Sequence, residues 1–111
     1  MELNEYQKLA LRTCDLAHKN SRDMVYHAVF GLTCDAGEVA GIFQKEYQGH
    51  IFQIEHFKKE LGDCLWMIAE AASAYDISLD DVARTNIEKL RERYPDGFDA
   101  EHSLHRKPGD I

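Results

Sequence analysis

The sequence has few of the residues that interrupt helices or build covalent frameworks. Among its 111 residues there are two prolines and three cysteines, and no segment shows the alternation of apolar and polar residues that marks a strand. Cys14, Cys34 and Cys64 are far apart and form no C-x-x-C pair, which argues against a disulfide framework and against a zinc site. We therefore expect a fold built from helices, with reduced thiols in a cytoplasmic protein.

Long apolar runs and an excess of positive charge are also missing. No segment has the length of a membrane span, and the first residues lack the basic and apolar regions of a signal peptide. Because 20 acidic residues outnumber 13 basic ones, the formal charge of −7 argues against a surface that binds nucleic acid. We expect no membrane and no nucleic acid among the partners, and an anionic ligand would need cations in order to bind.

A helical pattern recurs along the chain. Apolar residues follow helical spacing at about 3–18, 24–48, 53–75 and between Ser78 and Pro95. Ser21 or Asp23 is the predicted N-cap of the second helix, and Ser78 is that of the fourth. The predicted fold class is all-α, an antiparallel bundle of about four helices in residues 1–98, with a flexible tail at 99–111. A chain of this length is marginal as a monomer of long helices, so we expect oligomerisation to complete the bundle.

Two pairs of acidic residues carry the strongest chemical signal. Asp35 and Glu38 lie three residues apart in the second helix, and Glu60 and Asp63 repeat this spacing in the third. Residues three apart share one face of a helix, and carboxylates that converge from two helices suit a hard divalent cation such as Mg²⁺. A chain rich in acidic residues also forms such pairs by chance on solvated faces, so the spacing alone leaves both interpretations open.

The position of these acids relative to the apolar residues favours the metal interpretation. At about 100° per residue, each pair lies along the edge of an apolar stripe, and we expect the two edges to meet at the rim of the core. The stripes consist of Val25, Val29, Leu32, Ala36, Val39 and Phe43 in the second helix and of Ile54, Phe57, Leu61, Leu65 and Ile68 in the third.

Two further features bear on a ligand. Asn86, Lys89 and Arg93 form a polar and basic stripe along the fourth helix, suited to phosphate groups whose charge a cation partly neutralises. Trp66 lies away from the main stripe of its helix, which places it at a subunit interface, beside a flat ligand such as a nucleobase, or in a partly exposed packing position. The chain has no Walker A sequence, which excludes a P-loop.

Three blocks of sequence, in this order, resemble the MazG-like nucleotide pyrophosphohydrolases of the all-α NTP pyrophosphatase superfamily. The blocks are GLTCDAGEV at 31–39, KELGDCLW at 59–66 and NIEKLRERYPDGF at 86–98, and the similarity covers roughly 3–98. The resemblance implies a helical homodimer or homotetramer that uses Mg²⁺, with Mn²⁺ as a substitute, to cleave nucleoside triphosphates between the α- and β-phosphates. The implied products are a nucleoside monophosphate and pyrophosphate, and the implied role is cleansing or regulation of nucleotide pools.

The resemblance also assigns roles to residues. The implied metal ligands are Asp35, Glu38, Glu60 and Asp63, and the implied phosphate-binding residues are Asn86, Lys89 and Arg93. Glu38 and Glu60 are the candidates for the catalytic base, and Trp66 is a candidate for stacking on the nucleobase. The chain departs from the usual E-E-x-x-E motif, because Cys34 stands at the first acid and the shorter Asp35 at the second. We therefore expect catalysis that is weaker or that relies on Glu60 or Glu38 as the base.

Other functions fit parts of the pattern. A non-catalytic helical regulatory module that binds nucleotide and metal is also compatible with Cys34 at the first acid. Within the superfamily, a relative that acts on dUTP, phosphoribosyl-ATP or alarmone nucleotides would carry the same acidic pairs, and no residue of the sequence selects a base or a sugar. A ferritin-like di-metal protein would require E-x-x-H pairs, and the sequence contains none.

Overall fold

The computed structural model describes residues 1–15 and 20–111. Its helices are α1 (Leu3–Leu11), α2 (Ser21–Tyr47), α3 (Ile54–Ala74), α4 (Leu79–Arg93) and α5 (Ala100–Leu104). The described residues contain no strand, which confirms the all-α prediction.

The first helix is shorter than its apolar pattern predicts. α1 ends at Leu11, and the backbone N–H groups of Thr13 and Cys14 bond to carbonyl groups three residues back. The hydroxyl of Thr13 also donates to the Ala10 carbonyl over 2.7 Å, so a side chain competes for an acceptor that a continuing helix would use. The prediction of a helix through Cys14 is therefore wrong, and the last residues of the predicted helix, 16–18, lie outside the described part of the chain.

Side chains cap the N-termini of α2 and α4. At α2 the cap is Asn20, whose side-chain oxygen accepts from the backbone N–H of Asp23 over 2.9 Å. The prediction of Ser21 or Asp23 as this cap is wrong, because the helical conformation already begins at Ser21. At α4 the Ser78 hydroxyl accepts from the N–H of Asp81 over 3.1 Å, which confirms the predicted cap.

α2 and α3 form a long antiparallel hairpin that provides most of the helix–helix contact in the described chain. Three opposing pairs define its register: His27 with Glu70, Gly31 with Met67, and Glu38 with Glu60. At Gly31 the helices approach so closely that a Cβ atom would overlap the sulfur of Met67. Glycine here therefore serves helix packing, although it costs about 1 kcal/mol of helix propensity relative to alanine.

The face that α2 turns towards α3 differs from the predicted stripe. The row of positions along this face is Met24, Ala28, Gly31, Asp35, Glu38 and Ile42. Met24, Ala28 and Ile42 are the buried residues of α2, and their spacing by three and four residues is that of a helix–helix seam. The two acidic residues therefore lie within the seam, whereas the sequence pattern predicts them at the edge of the core.

The predicted apolar stripes remain largely uncovered in the single chain. Every residue of both stripes is half-buried or exposed, and Val29, Phe43 and Leu61 are 47%, 45% and 46% exposed. α2 and α3 meet along the neighbouring row of positions, so the stripe residues are not the ones that the single chain buries. Both long helices therefore present apolar residues at the surface.

A small buried core lies where α1, α3 and α4 meet, around Leu79. Gln7 of α1 joins the three helices through its side chain. Its Nε2 donates to the Ser73 hydroxyl and to the Ile77 carbonyl, both over 2.9 Å, and its Oε1 accepts from the N–H of Leu79 over 2.8 Å. These bonds hold α1 across the turn between α3 and α4, so that α1 lies alongside α3.

The segment after α4 folds back against that helix. α5 is a short helix capped by Asp99, and beyond it the chain returns to Arg93, whose guanidinium binds Asp110. The sequence shows no helical pattern in this segment. The domain boundary after residue 98 and the flexibility of the tail stay predictions.

Candidate metal centre

Two helices bring three of the four predicted ligands together. Glu38 of α2 and Glu60 and Asp63 of α3 each offer a carboxylate oxygen, and these oxygens lie within 4.8 Å of one another. This acidic cluster is the one group of three or more acidic, histidine or cysteine ligands found in the described part of the chain. The register of the hairpin explains it, since Glu60 lies opposite Glu38 and Asp63 follows about one turn later on the same helix.

Asp35 lies beside the acidic cluster and is not one of its three members. The pKa of Cys64 is raised first by burial and then by the nearby charge of Asp35. The pKa of Glu38 is raised chiefly by Glu60, with Asp35 as a lesser cause. Cys34, at the position of the family's first acid, is exposed and does not belong to the cluster. The fourth predicted ligand is therefore close to the cluster, and the cysteine replacement lies outside it.

The electrostatics of the acidic cluster favour a positive charge. The pKa of Glu38 is raised above its ordinary value, chiefly because its protonated form bonds to Glu60 and because Glu60 is negatively charged. Oε2 of Glu60 is buried. When both carboxylates are ionised, this oxygen has no hydrogen-bond donor among the described residues. Oε1 of Glu60 lies 3.1 Å from Nε2 of His56. A covered carboxylate oxygen that faces a second carboxylate without a donor favours a proton or a metal ion.

The donor set fits a hard divalent cation. Mg²⁺ prefers oxygen ligands, and in proteins it is held by carboxylates while water and substrate phosphates complete its coordination. Glu38, Glu60 and Asp63 supply such oxygens, and Asp35 adds negative charge beside them. Carboxylates this close repel one another without a cation, so the cluster is better suited to holding a metal than to stabilising the fold.

A cleft of about 570 Å³ opens beside Glu38 and Glu60. Its volume is that of a small-molecule site, and its walls include Lys45, His50 and His56. Sequence reasoning missed Lys45 and His56 as residues near the site. Their spacing is the signal that identifies them, since Lys45 follows Glu38 by seven residues and His56 precedes Glu60 by four, which places each on the same helix face.

A second cavity, of about 500 Å³, lies on the α1 side of Asp63. Its lining includes Tyr6 and Leu9 of α1 and Trp66 of α3. Trp66 is half-buried, and its indole N–H is covered without an acceptor among the described residues. The pKa of Tyr6 is raised by burial and, to a smaller extent, by the charge of Asp63. Trp66 therefore borders a cavity with its indole N–H buried, and stacking of Trp66 on a nucleobase stays a prediction.

The basic stripe of α4 lies apart from both of these cavities. Asn86 and Lys89 are exposed, and neither they nor Arg93 line the cleft beside the acidic cluster or the cavity on the α1 side. Lys89 and Arg93 instead line a third cavity, of about 300 Å³, together with residues of the segment 99–111. Within one chain, the structure therefore does not bring the basic stripe into the space beside the acids.

Comparison with known proteins gives the family. The family model of the MazG nucleotide pyrophosphohydrolase domain matches residues 29–98, which contain both acidic pairs and the basic stripe. The chain belongs to the MazG nucleotide pyrophosphohydrolase family.

A relative and the absence of a structural match add context. The Gene 37 protein of Mycobacterium phage L5 is similar, with 33% identity over 72 residues, and the match spans 60% of this chain and 63% of the phage protein. No solved structure matches the chain. Among the described residues, no helix combines the length and apolarity needed to cross a membrane.

Proposed function

We propose that the chain is a Mg²⁺-dependent nucleoside triphosphate pyrophosphohydrolase that converts (d)NTP to (d)NMP and pyrophosphate. The observation that carries the proposal is the convergence of Glu38, Glu60 and Asp63 in a chain of the MazG family. Three carboxylates whose oxygens lie within 4.8 Å of one another, one of them with a covered oxygen that lacks a donor among the described residues, repel one another unless a cation binds.

In this proposal Asp35, Glu38, Glu60 and Asp63 hold the metal. When bound, Mg²⁺ or Mn²⁺ would supply positive charge to the phosphates and to the water that attacks the α-phosphorus. Glu38 or Glu60 accepts the proton of that water. The bond between the α-phosphorus and the bridging oxygen breaks, and pyrophosphate leaves with the electron pair. Catalysis of phosphoryl transfer comes mainly from alignment of the reacting groups and from neutralisation of the charge on the phosphates.

Side chains around the cleft would position the reacting groups. His56 bonds to one oxygen of Glu60 over 3.1 Å, which leaves the covered oxygen free for the metal and fixes the carboxylate in place. Lys45 adds positive charge on the cleft wall, where the phosphates of a substrate would lie. Asn86, Lys89 and Arg93 are proposed to bind further phosphate oxygens, and Trp66 to stack on the base.

We also propose that the functional unit is a homodimer or a homotetramer. The support is the exposed apolar surface of Val29, Phe43 and Leu61, which a second copy would cover. We also propose a cytoplasmic location, as expected for a sequence with three widely spaced cysteines and no C-x-x-C pair. Size-exclusion chromatography with light scattering measures the oligomeric state, and a monomer at micromolar concentration would refute the proposed homodimer or homotetramer.

The test is product analysis with a matched pair of variants. Wild-type protein is incubated with a panel of ribo- and deoxyribonucleoside triphosphates, with Mg²⁺ and with EDTA, and all phosphate products are resolved. We expect monophosphate and pyrophosphate only with metal. Glu38→Gln should lower turnover at least about 100-fold, because it removes a metal-binding oxygen, whereas the exposed Glu46→Gln on the same helix should not. Formation of a nucleoside diphosphate, or full activity of Glu38→Gln, would refute the proposal.

A second candidate function has one observation in its favour. Cys34 occupies the position of the family's first acid, and the structure places it at the exposed surface, outside the acidic cluster. A site with fewer acids could bind nucleotide and metal as a regulatory module without turnover. The same incubation separates the two functions, because the module would bind nucleotide in the presence of Mg²⁺ and release no product. The panel already includes dUTP, and the addition of phosphoribosyl-ATP and an alarmone nucleotide to it would show whether one of these three is the preferred substrate.

A further inference from the structure

The segment 99–111, which we name the strap, is attached to α4 by a bidentate ion pair. The carboxylate of Asp110 accepts hydrogen bonds from Nε and Nη2 of Arg93, over 2.8 and 2.6 Å. The two side chains are 11% and 16% exposed, so the pair is largely shielded from water. The strap reaches this position after a short helix whose cap is Asp99, which accepts from the N–H of Glu101 over 2.7 Å.

The strap and α4 enclose the cavity of about 300 Å³, and its lining is strongly basic. The basic residues of the lining, histidines included, are Lys89, Arg93, His102, His105, Arg106 and Lys107. Two acids, Glu92 and Asp110, are also present. In a chain with a formal charge of −7, this is a local reversal of sign. The cavity therefore attracts anions, whereas the protein as a whole repels them.

Asp110 occupies the position that an anionic ligand of this cavity would take. Two parallel hydrogen bonds from a guanidinium are the arrangement by which arginine binds phosphate as well as carboxylate. The pKa of Asp110 is lowered chiefly by its bonds to Arg93, and also by the charges of Arg106 and Lys89. Arg93 bonds to this carboxylate directly, and the positive charges of Lys89 and Arg106 also act on it, so a phosphate group in its place would be attracted by the same three side chains.

We propose that the strap and the end of α4 form a binding site for a pyrophosphate-like polyanion, and that Asp110 closes this site as a competitor within the same chain. Arg93 and Lys89 supply one wall, and Arg106 and Lys107 supply the other. The anion displaces Asp110 from Arg93 and keeps the cationic walls around itself. Anion binding stands on this geometry alone, whereas its link to nucleotides rests on the proposed function, in which pyrophosphate is a product.

The competition has a measurable size. A ligand that binds only when Asp110 has left Arg93 has its apparent affinity reduced by the fraction of molecules in that open state. In the closed state Asp110 is bound to Arg93. Because the ion pair is bidentate and shielded, we expect the closed state to be several-fold more populated than the open state, so removal of the Asp110 charge should tighten anion binding about three- to tenfold. The effect should weaken as the salt concentration rises.

The test is calorimetric titration of the full chain with inorganic pyrophosphate in EDTA, so that the acidic cluster holds no metal and makes no contribution. Asp110→Asn is compared with Asp96→Asn, which makes the same change in net charge at an exposed residue outside the cavity lining. We expect the Kd for pyrophosphate to fall about three- to tenfold in Asp110→Asn and to stay unchanged in Asp96→Asn. Equal affinities in the two variants, or no pyrophosphate binding by any form, would overturn the proposal.

A second variant keeps the proposal testable if Asp110→Asn fails to fold. Replacement of both Arg106 and Lys107 by glutamine in the otherwise wild-type chain should raise the Kd for pyrophosphate, and unchanged affinity would overturn the assignment of the strap wall. Turnover of nucleoside triphosphate with Mg²⁺ is measured on the same samples. Turnover together with equal pyrophosphate affinities would refute the strap site and leave the proposed function standing. Tighter pyrophosphate binding by Asp110→Asn without any turnover would support the strap site and refute the proposed function.

Discussion

Replacement of Gln7 by methionine should destabilise the chain, because one buried amide joins α1 to the turn between α3 and α4. Gln7 is 9% exposed, and it makes three hydrogen bonds, two as a donor and one as an acceptor from the N–H of Leu79. Methionine has a similar size and no hydrogen-bonding group. The substitution therefore leaves the N–H of Leu79 without its partner in a region where water has little access.

The magnitude follows from the bonds that are lost. At roughly 1 kcal/mol for each hydrogen bond, with a larger cost for a buried group left unpaired, we expect a loss of about 2–4 kcal/mol in the free energy of unfolding. For a chain of this size, each kcal/mol corresponds to roughly 4 °C, so Tm should fall by about 8–16 °C. The acidic cluster lies on α2 and α3, so metal-dependent turnover should persist below the lowered Tm.

The assay is urea and thermal unfolding monitored by circular dichroism, at a fixed protein concentration. Gln44→Met is the matched control, because Gln44 is exposed on α2, and it should change the free energy by less than about 0.5 kcal/mol. A further Ser73→Ala substitution should cost less in the Gln7→Met background than in the wild type, because the bond between these residues is already lost. Equal stability of Gln7→Met and Gln44→Met would refute the role assigned to the amide.

Two further predictions concern the metal and the phosphates. Because the folded state raises the pKa of Glu38, binding of a proton to Glu38 stabilises the folded chain at low pH, and this stability is lost as the pH rises through that pKa. Mg²⁺ should therefore raise Tm more at pH 8 than at pH 5. Glu38→Gln should remove most of this difference. A Mg²⁺ effect independent of pH, by differential scanning fluorimetry, would contradict the cluster as the binding site. Lys89→Ala should raise KM about tenfold with little change in kcat, and Arg91→Ala, outside the strap cavity, serves as its control. An unchanged KM would move phosphate binding to other residues, with Lys45 as the first to examine.

Most of α2, α3 and α4 could be predicted because helical patterns depend on short spacings along one chain, whereas the predicted first helix was longer than α1 and the sequence showed no pattern for α5. Apolar residues three and four apart predicted α2, α3 and α4 to within a few residues, and Ser78 was identified as a cap from its place before α4. Glu60 and Asp63 share a helix face wherever α3 lies, so their joint position followed from sequence alone. The family also followed from the sequence blocks that contain these acids.

The rotation of α2 was predicted wrongly because this helix has apolar residues on more than one face. Val29 and Phe43 give the more obvious stripe, yet Met24, Ala28 and Ile42 are the residues it buries. The choice between the two faces depends on what packs against them. The Met67 side chain of α3 packs against Gly31 on the row that is buried, and spacing within α2 contains no information about that contact.

The sequence by itself determined α2, α3 and α4, the spacing within each acidic pair and the family, since these depend on residues that are near one another in the chain. Only the tertiary structure decided which carboxylates meet, how Gln7 bonds to Leu79, and where Arg93 finds Asp110. Gln7 and Leu79 are 72 residues apart, and Arg93 and Asp110 are 17 apart across a change of chain direction. The physical reason is that a helical pattern fixes only the direction of a side chain from its own axis, whereas a contact also requires the position of the second helix or segment.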